Sequence, residues 1–202
     1  MYQRMALRRV VLEILIAIAL SGCGAIGQAR TQVQTWWAQR AERRALVALY
    51  RATDGPNWWA SSDWLSAQLV TGVEFIDNAL GLGSACTWYG VTCANGYVTG
   101  LNLSYNNLSG GIPPEISQLQ NLTELYLGVN RLASLPPEIG QLRNLRYLDL
   151  SGNQLTSLPP ELSQLQNLEQ LHLSGNPLTS LPPEVCQMDV EVDIDITPLC
   201  GG

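Results

Sequence analysis

A single histidine (His172), five cysteines and a scatter of carboxylates are the side chains in this 202-residue sequence that could do chemistry. One imidazole excludes a multi-histidine metal site and a two-histidine acid–base centre. Ser151, Ser174 and nearby carboxylates could complete a Ser–His–Asp set around His172. That chemistry also needs an enclosed pocket and oxyanion donors, and no segment of the sequence announces either. Asp189, Glu191, Asp193 and Asp195 alternate along the chain and could hold a cation, although alternating acids on an edge strand more often protect the edge. The cysteines include no C-x-x-C pair and are expected to be structural. The expectation is therefore a chain without enzymatic activity, metal or cofactor.

Composition narrows the partners. All eleven basic residues are Arg, seventeen residues are acidic, and the net charge is -6. A general nucleic-acid binder needs a basic face to neutralise phosphates, so that class is excluded. Hydrophobic residues at 46% and charged residues at 14% allow a sizeable core and exclude disorder of the whole chain.

The first residues read as a targeting segment. Arg4, Arg8 and Arg9 precede an apolar run, Val10 to Leu20, broken only by Glu13. The run is short for a membrane span and suits the h-region of a secretory signal. It ends in Leu20-Ser21-Gly22-Cys23, which resembles the lipobox of bacterial lipoproteins. That resemblance implies a signal peptide at 1–22, lipidation of Cys23, and a lipid-anchored protein of the cell envelope. The alternative is a plain signal peptide and a secreted protein. Removing residues 1–22, which carry three Arg and Glu13, takes the net charge from -6 to -8. With Cys23 lipidated, four cysteines remain for pairing and allow three connectivities; closeness in sequence favours Cys86 with Cys93 and Cys186 with Cys200.

The elements that must position these groups follow from pattern. Residues 23–35 are small and polar and read as a lipidated tether. Trp36 to Thr53 reads as a helix, with Leu46, Leu49, Tyr50 and Thr53 on one face and Arg40, Glu42, Arg43 and Arg44 polar. Asp54-Gly55-Pro56 stops it, Gly supplying the left-handed position. From Val98 the chain repeats in four units, 98–121, 122–144, 145–167 and 168–190, each framed L-x-x-L-x-L-x-x-N-x-L and then P-P-E. In the third unit these positions are Leu145, Leu148, Leu150, Asn153, Leu155, Pro159, Pro160 and Glu161. A fifth start is expected at Ile194 and Ile196, aligned with Leu171 and Leu173. L-x-L puts two leucines on the inner face of a short strand. Asn106, Asn130, Asn153 and Asn176 stand at the bends, where a buried amide ladder can satisfy exposed backbone groups. Each Pro-Pro pair predicts an extended return arm, not a helix.

This frame resembles the leucine-rich repeat family. Ala45 to Tyr50, Asp54-Gly55, Asn57-Trp58-Trp59, Trp64-Leu65 and Cys86-Thr87-Trp88-Tyr89-Gly90-Val91-Thr92-Cys93 resemble that family's plant-type N-terminal cap. Cap and repeats together cover about residues 41–188. The resemblance implies an α/β solenoid with a short parallel sheet on its concave face. A helical N-terminal cap at 36–97 and a disulfide-closed C-terminal cap at 191–202 would shield its ends. Residues 66–85 exceed the usual cap and are expected to add a turn of helix, a partner-binding loop being the alternative.

Outward strand residues would then form two ladders. One runs Asn102, Tyr126, Asp149, His172, Asp195, and the other Gly100, Glu124, Tyr147, Gln170, Asp193. Tyr105, Val129, Ser151 and Ser174 line the same face. Aromatics among acids suit a protein or peptide ligand of basic character, with a glycan as the other ligand class. The expected contact residues are Glu124, Tyr126, Tyr147, Asp149, Gln170 and His172, on a monomer. The competing reading is an envelope scaffold or spacer without a dedicated ligand.

Overall fold

The structure, a computed structural model, describes residues 23–60, 64 and 85–201. The expected signal peptide and nearly all of the 66–85 insertion lie outside the described residues. Helix α1 spans Cys23–Ala52. It begins thirteen residues before the expected Trp36, so the segment read as a tether is helical. Ala25, Gln28, Ala29, Arg30, Gln32 and Gln34 are good or tolerant helix formers, and no proline interrupts them. No helix among the described residues is long and apolar enough to cross a membrane.

The end of α1 differs from expectation in one detail. The left-handed residue is Asp54, with φ 60°, and not Gly55. Gly55 serves close approach instead, because a Cβ there would lie 2.4 Å from the Tyr50 ring. Leu46, Leu49, Tyr50 and Thr53 are buried as the helical spacing requires. Glu42 and Arg43 are buried too, against the expectation of a polar face. Glu42 accepts a hydrogen bond from the Val98 N–H at 3.2 Å. Arg43 lies over the Trp88 ring, 5.6 Å from its centroid. Tyr50, Trp58, Trp64 and Trp88 pack with centroid separations of 4.9–6.1 Å and close the first coil.

Six strands form the main sheet: β1 (Val91–Ala94), β2 (Tyr97–Asn102), β4 (Glu124–Tyr126), β6 (Tyr147–Asp149), β7 (Gln170–His172) and β8 (Glu191–Val192), in that spatial order. From β2 onward neighbours are parallel. Strand β1 is antiparallel to β2. Asn95 and Gly96, both at positive φ, form the hairpin turn between them, as the Asn-Gly pair favours. The region before Val98 is thus not purely helical. A smaller parallel pair, β3 (Ser109–Gly111) with β5 (Arg131–Ser134), lies beyond the first bends. The core is one continuous stack of repeat leucines, from Leu101 and Leu103 to Leu171 and Leu173.

The bend asparagines build the expected ladder. Asn130 Oδ1 accepts from the N–H groups of Asn106 and Leu108, and its Nδ2 donates to the carbonyls of Leu103, Leu127 and Gly128. Asn153 and Asn176 repeat the pattern one and two coils on, each accepting from a single N–H, that of Leu132 or Leu155. A second amide ladder was not foreseen: Asn144 and Asn167 donate to the carbonyls of Gln120 and Arg143, each one coil back.

Each return arm is extended only at its first proline; Pro113, Pro136, Pro159 and Pro182 have ψ of 140–155°. The second proline opens a helical turn, contrary to expectation: 3-10 at Pro114–Gln118, Pro137–Gln141 and Pro160–Gln164, and α2 at Pro183–Cys186. Proline at a helix's first position loses no hydrogen bond, because that N–H has no partner in the helix. Disulfides join Cys86 to Cys93 and Cys186 to Cys200, with Cα separations of 5.6 and 5.8 Å.

Candidate ligand-binding face

The expected contact residues fall on three adjacent strands. Glu124, Tyr147 and Gln170 share one register position, and Tyr126, Asp149 and His172 share another. The alternation that turns Leu125, Leu148 and Leu171 into the core turns these six to the outer face of the sheet. Their rings form a diagonal stack. Tyr126 and Tyr147 have centroids 4.6 Å apart, and Tyr147 and His172 5.0 Å.

Both ladders end differently from expectation. Gln170 pairs with Glu191, and Leu171 with Val192. The fifth start is therefore Val192 and Ile194, two residues earlier than expected. Along Val190-Glu191-Val192-Asp193-Ile194-Asp195-Ile196, a slip of two residues preserves which side chains point inward, so alternation alone could not set the register. The neighbour of His172 is accordingly Asp193, with Oδ2 3.6 Å from Nδ1. Glu191 takes Asp193's place in the other ladder and accepts from Gln170 Nε2 at 2.9 Å. Asp195 instead accepts from the Thr197 N–H at 3.0 Å, and the Thr197 hydroxyl and N–H hold its carboxyl below the usual value.

Asp193 is bound into the backbone. Burial would raise its pKa, but the Ser174 hydroxyl, the N–H groups of Leu173 and Ser174, and His172 together hold it below the ordinary value. Burial raises the Tyr126 and Tyr147 phenols, with Glu124 adding to Tyr126, and Asp149 and Asp193 to Tyr147. Both stay neutral near pH 7 and can donate hydrogen bonds. Ser151 Oγ donates to Asp149 Oδ1 at 2.6 Å. Both serines thus pair with carboxylates, and the Ser–His–Asp order required for a nucleophile is not assembled. No group of three or more possible metal ligands occurs among the described residues.

A shallow recess of about 390 Å³ opens beside the stack, lined by Thr123, Glu124, Tyr126, Arg146, Tyr147, Glu169 and Gln170. Arg146 and Glu169, missed by the ladder argument, pair across its rim at 3.2 Å. They sit one residue before the strands, where strict alternation does not predict orientation. Cys23 is the first residue of α1.

Residues 120–178 match the Leucine rich repeat family, and residues 97–119 match a second Leucine Rich Repeat pattern. Residues 97–178 are thus leucine-rich repeats. The chain is 48% identical over 48 residues to Protein MALE DISCOVERER 1 of Arabidopsis thaliana, covering 24% of this chain and 7% of that one. It is 41% identical over 91 residues to the Leucine-rich repeat receptor protein kinase EMS1 of the same plant, covering 45% and 6%. The chain thus spans under a tenth of either relative's length. Among solved structures, the BIR2 ectodomain from Arabidopsis thaliana aligns at 29% identity and a TM-score of 0.50, over 69% of this chain and 72% of that one. The PEPR1–AtPEP1 structure aligns at 24% identity and a TM-score of 0.53, over 74% and 24%, a likeness of fold.

Proposed function

We propose that this leucine-rich repeat protein is a non-catalytic binding module whose concave face recognises a protein or peptide of basic character. The carrying observation is the Tyr126–Tyr147–His172 stack, flanked by Glu124, Asp149 and Asp193. Stacked rings offer wide contact area with little side-chain entropy left to lose, and the carboxylates favour a positively charged occupant. About twenty outward residues across the coils approach one side of a standard interface. Likeness to the BIR2 ectodomain and the two disulfides support an exported setting. The Leu20-Ser21-Gly22-Cys23 sequence supports display at a bacterial envelope through a lipid on Cys23. Fatty-acid labelling that survives Cys23→Ser would refute the anchor.

The binding reading is tested by crosslinking pull-down from envelope extract with the full chain as bait. The control is the Tyr126→Ala/Asp149→Ala/His172→Ala variant. A protein captured by the wild type and lost with the variant supports the concave-face reading. Equal capture by both contradicts it.

A further inference from the structure

The residue immediately before each bend asparagine adopts left-handed backbone in all four coils. Tyr105, Val129, Gly152 and Gly175 have φ of 54°, 55°, 62° and 70°. Glycine takes this conformation without strain; a side chain, above all a β-branched one, does not. The third and fourth coils therefore carry the residue the backbone asks for, and the first and second do not. Nor does the core claim the two exceptions. Tyr105 is 67% and Val129 43% exposed, among the few large hydrophobic side chains of the described residues left open to solvent. Trp59, 74% exposed, is tied to the first bend, its N–H donating to the carbonyl of Asn106, the residue after Tyr105.

Both exceptions thus bear backbone strain while displaying apolar surface, and strain of this kind marks sites whose use lies outside the fold. The glycines complete the feature. A Cβ built on Gly152 would rest 3.4 Å from Val129 Cγ2, and one on Gly175 would rest 3.2 Å from Gly152 Cα. A side chain at either glycine would press on the coil before it, so along this line the chain displays only the side chains of Tyr105 and Val129.

We propose that this Tyr105–Val129–Gly152 ledge is the anchor subsite for an apolar side chain of an extended basic peptide bound on the concave face. The assignment rests on the binding function proposed above and adds what the occupant must carry. Glu124, Asp149 and Asp193 on the adjoining sheet set its positive charge. Tyr126, which donates to Glu124 and pairs in register with Asp149, stands three residues before Val129, at most about 10 Å of chain. The ligand's basic and apolar side chains are therefore at most about three residues apart in extended form.

The test is an array of immobilised octapeptides, each with one Arg and one Leu separated by one to five positions, beside versions with Glu for Arg or Ser for Leu. The full chain is applied as wild type, Val129→Gly, Tyr105→Gly, and the Tyr126/Asp149/His172 triple-alanine variant. The wild type should prefer Arg and Leu no more than about three positions apart. Val129→Gly should weaken that capture about tenfold, in line with losing one partly buried apolar contact, keep the preference for Arg over Glu, and melt no lower than wild type. If the triple variant loses capture but Val129→Gly and Tyr105→Gly leave the Leu preference intact, the ledge assignment falls and concave-face binding stands. If the wild type captures nothing above the triple variant, the binding function itself falls. A lower melting temperature for Val129→Gly would overturn the strain argument.

Discussion

Replacing Asn130 with Ala should be among the most damaging single changes in the solenoid, and its size can be worked from the hydrogen bonds. Asn130 Oδ1 is the partner of two buried N–H groups, those of Asn106 and Leu108. Its Nδ2 reaches three carbonyls. Two of these keep other donors: Asn153 Nδ2 on Leu127, and the Tyr105 N–H on Gly128. The Asn130→Ala variant thus strands two donors and the Leu103 carbonyl. A buried unsatisfied group costs about 1–3 kcal/mol, so partial relaxation leaves a loss of about 3–5 kcal/mol. Asn153→Ala strands one donor, that of Leu132, because Leu127, Leu150 and Ser151 retain other partners; about 2–3 kcal/mol is expected. Asn176 is only half-buried and holds the Leu155 N–H, for about 1–2 kcal/mol. Asn106 accepts one bond, from Ala60, and its Nδ2 has no partner, so about 1 kcal/mol or less is expected. Urea unfolding followed by far-ultraviolet circular dichroism would rank the four variants. Equal losses throughout, or the largest loss at Asn106, would refute the reasoning.

Three further outcomes follow from the same structure. Burial raises the Glu42 pKa above its usual 4.5, against the lowering effect of its bonds to Val98 and Asn121. Its ionised form therefore weighs against folding once pH exceeds that value, and Glu42→Gln should be at least as stable as wild type at pH 7, the gap closing below pH 4.5; Glu42→Ala should lose about 1–3 kcal/mol by orphaning the Val98 N–H. The Asp193 pKa is lowered, so its stabilisation is present above the ordinary 3.8 and fades as pH falls through the folded value. Asp193→Asn should then be destabilised by about 1 kcal/mol at pH 7, the loss shrinking as pH falls below 3.8, as read from melts across that range. The Cys186–Cys200 disulfide closes a loop of 14 residues, and Cys186→Ala/Cys200→Ala should lose about 3 kcal/mol, with faster amide exchange at Leu181 and Cys200.

The repeat frame was legible because inward leucines and bend asparagines obey periods that the chain keeps over four units. Disulfide pairing was legible from proximity. Other features depended on groups that periodicity does not see. The β8 register turns on a two-residue slip that alternation permits. Burial of Glu42 and Arg43 needs partners on Val98 and Trp88, far away in sequence. The β1–β2 hairpin had a local signal, Asn95-Gly96, which a search centred on repeats passes over. At the candidate face the six expected residues do adjoin one another. The strain at Tyr105 and Val129 was hidden, because only backbone angles show that these positions match Gly152 and Gly175.

The central claim is that the outer surface of the sheet, not the opposite side of the solenoid, meets a partner. Photocrosslinking in the intact cell tests this most directly, with a photoreactive amino acid placed at Tyr126 in one variant and at the exposed helical-turn residue Gln141 in another. The account predicts a discrete covalent adduct from position 126 that a Glu124→Ala/Asp149→Ala background removes, and none from position 141. An adduct from 141 alone, or from both positions alike, would contradict it.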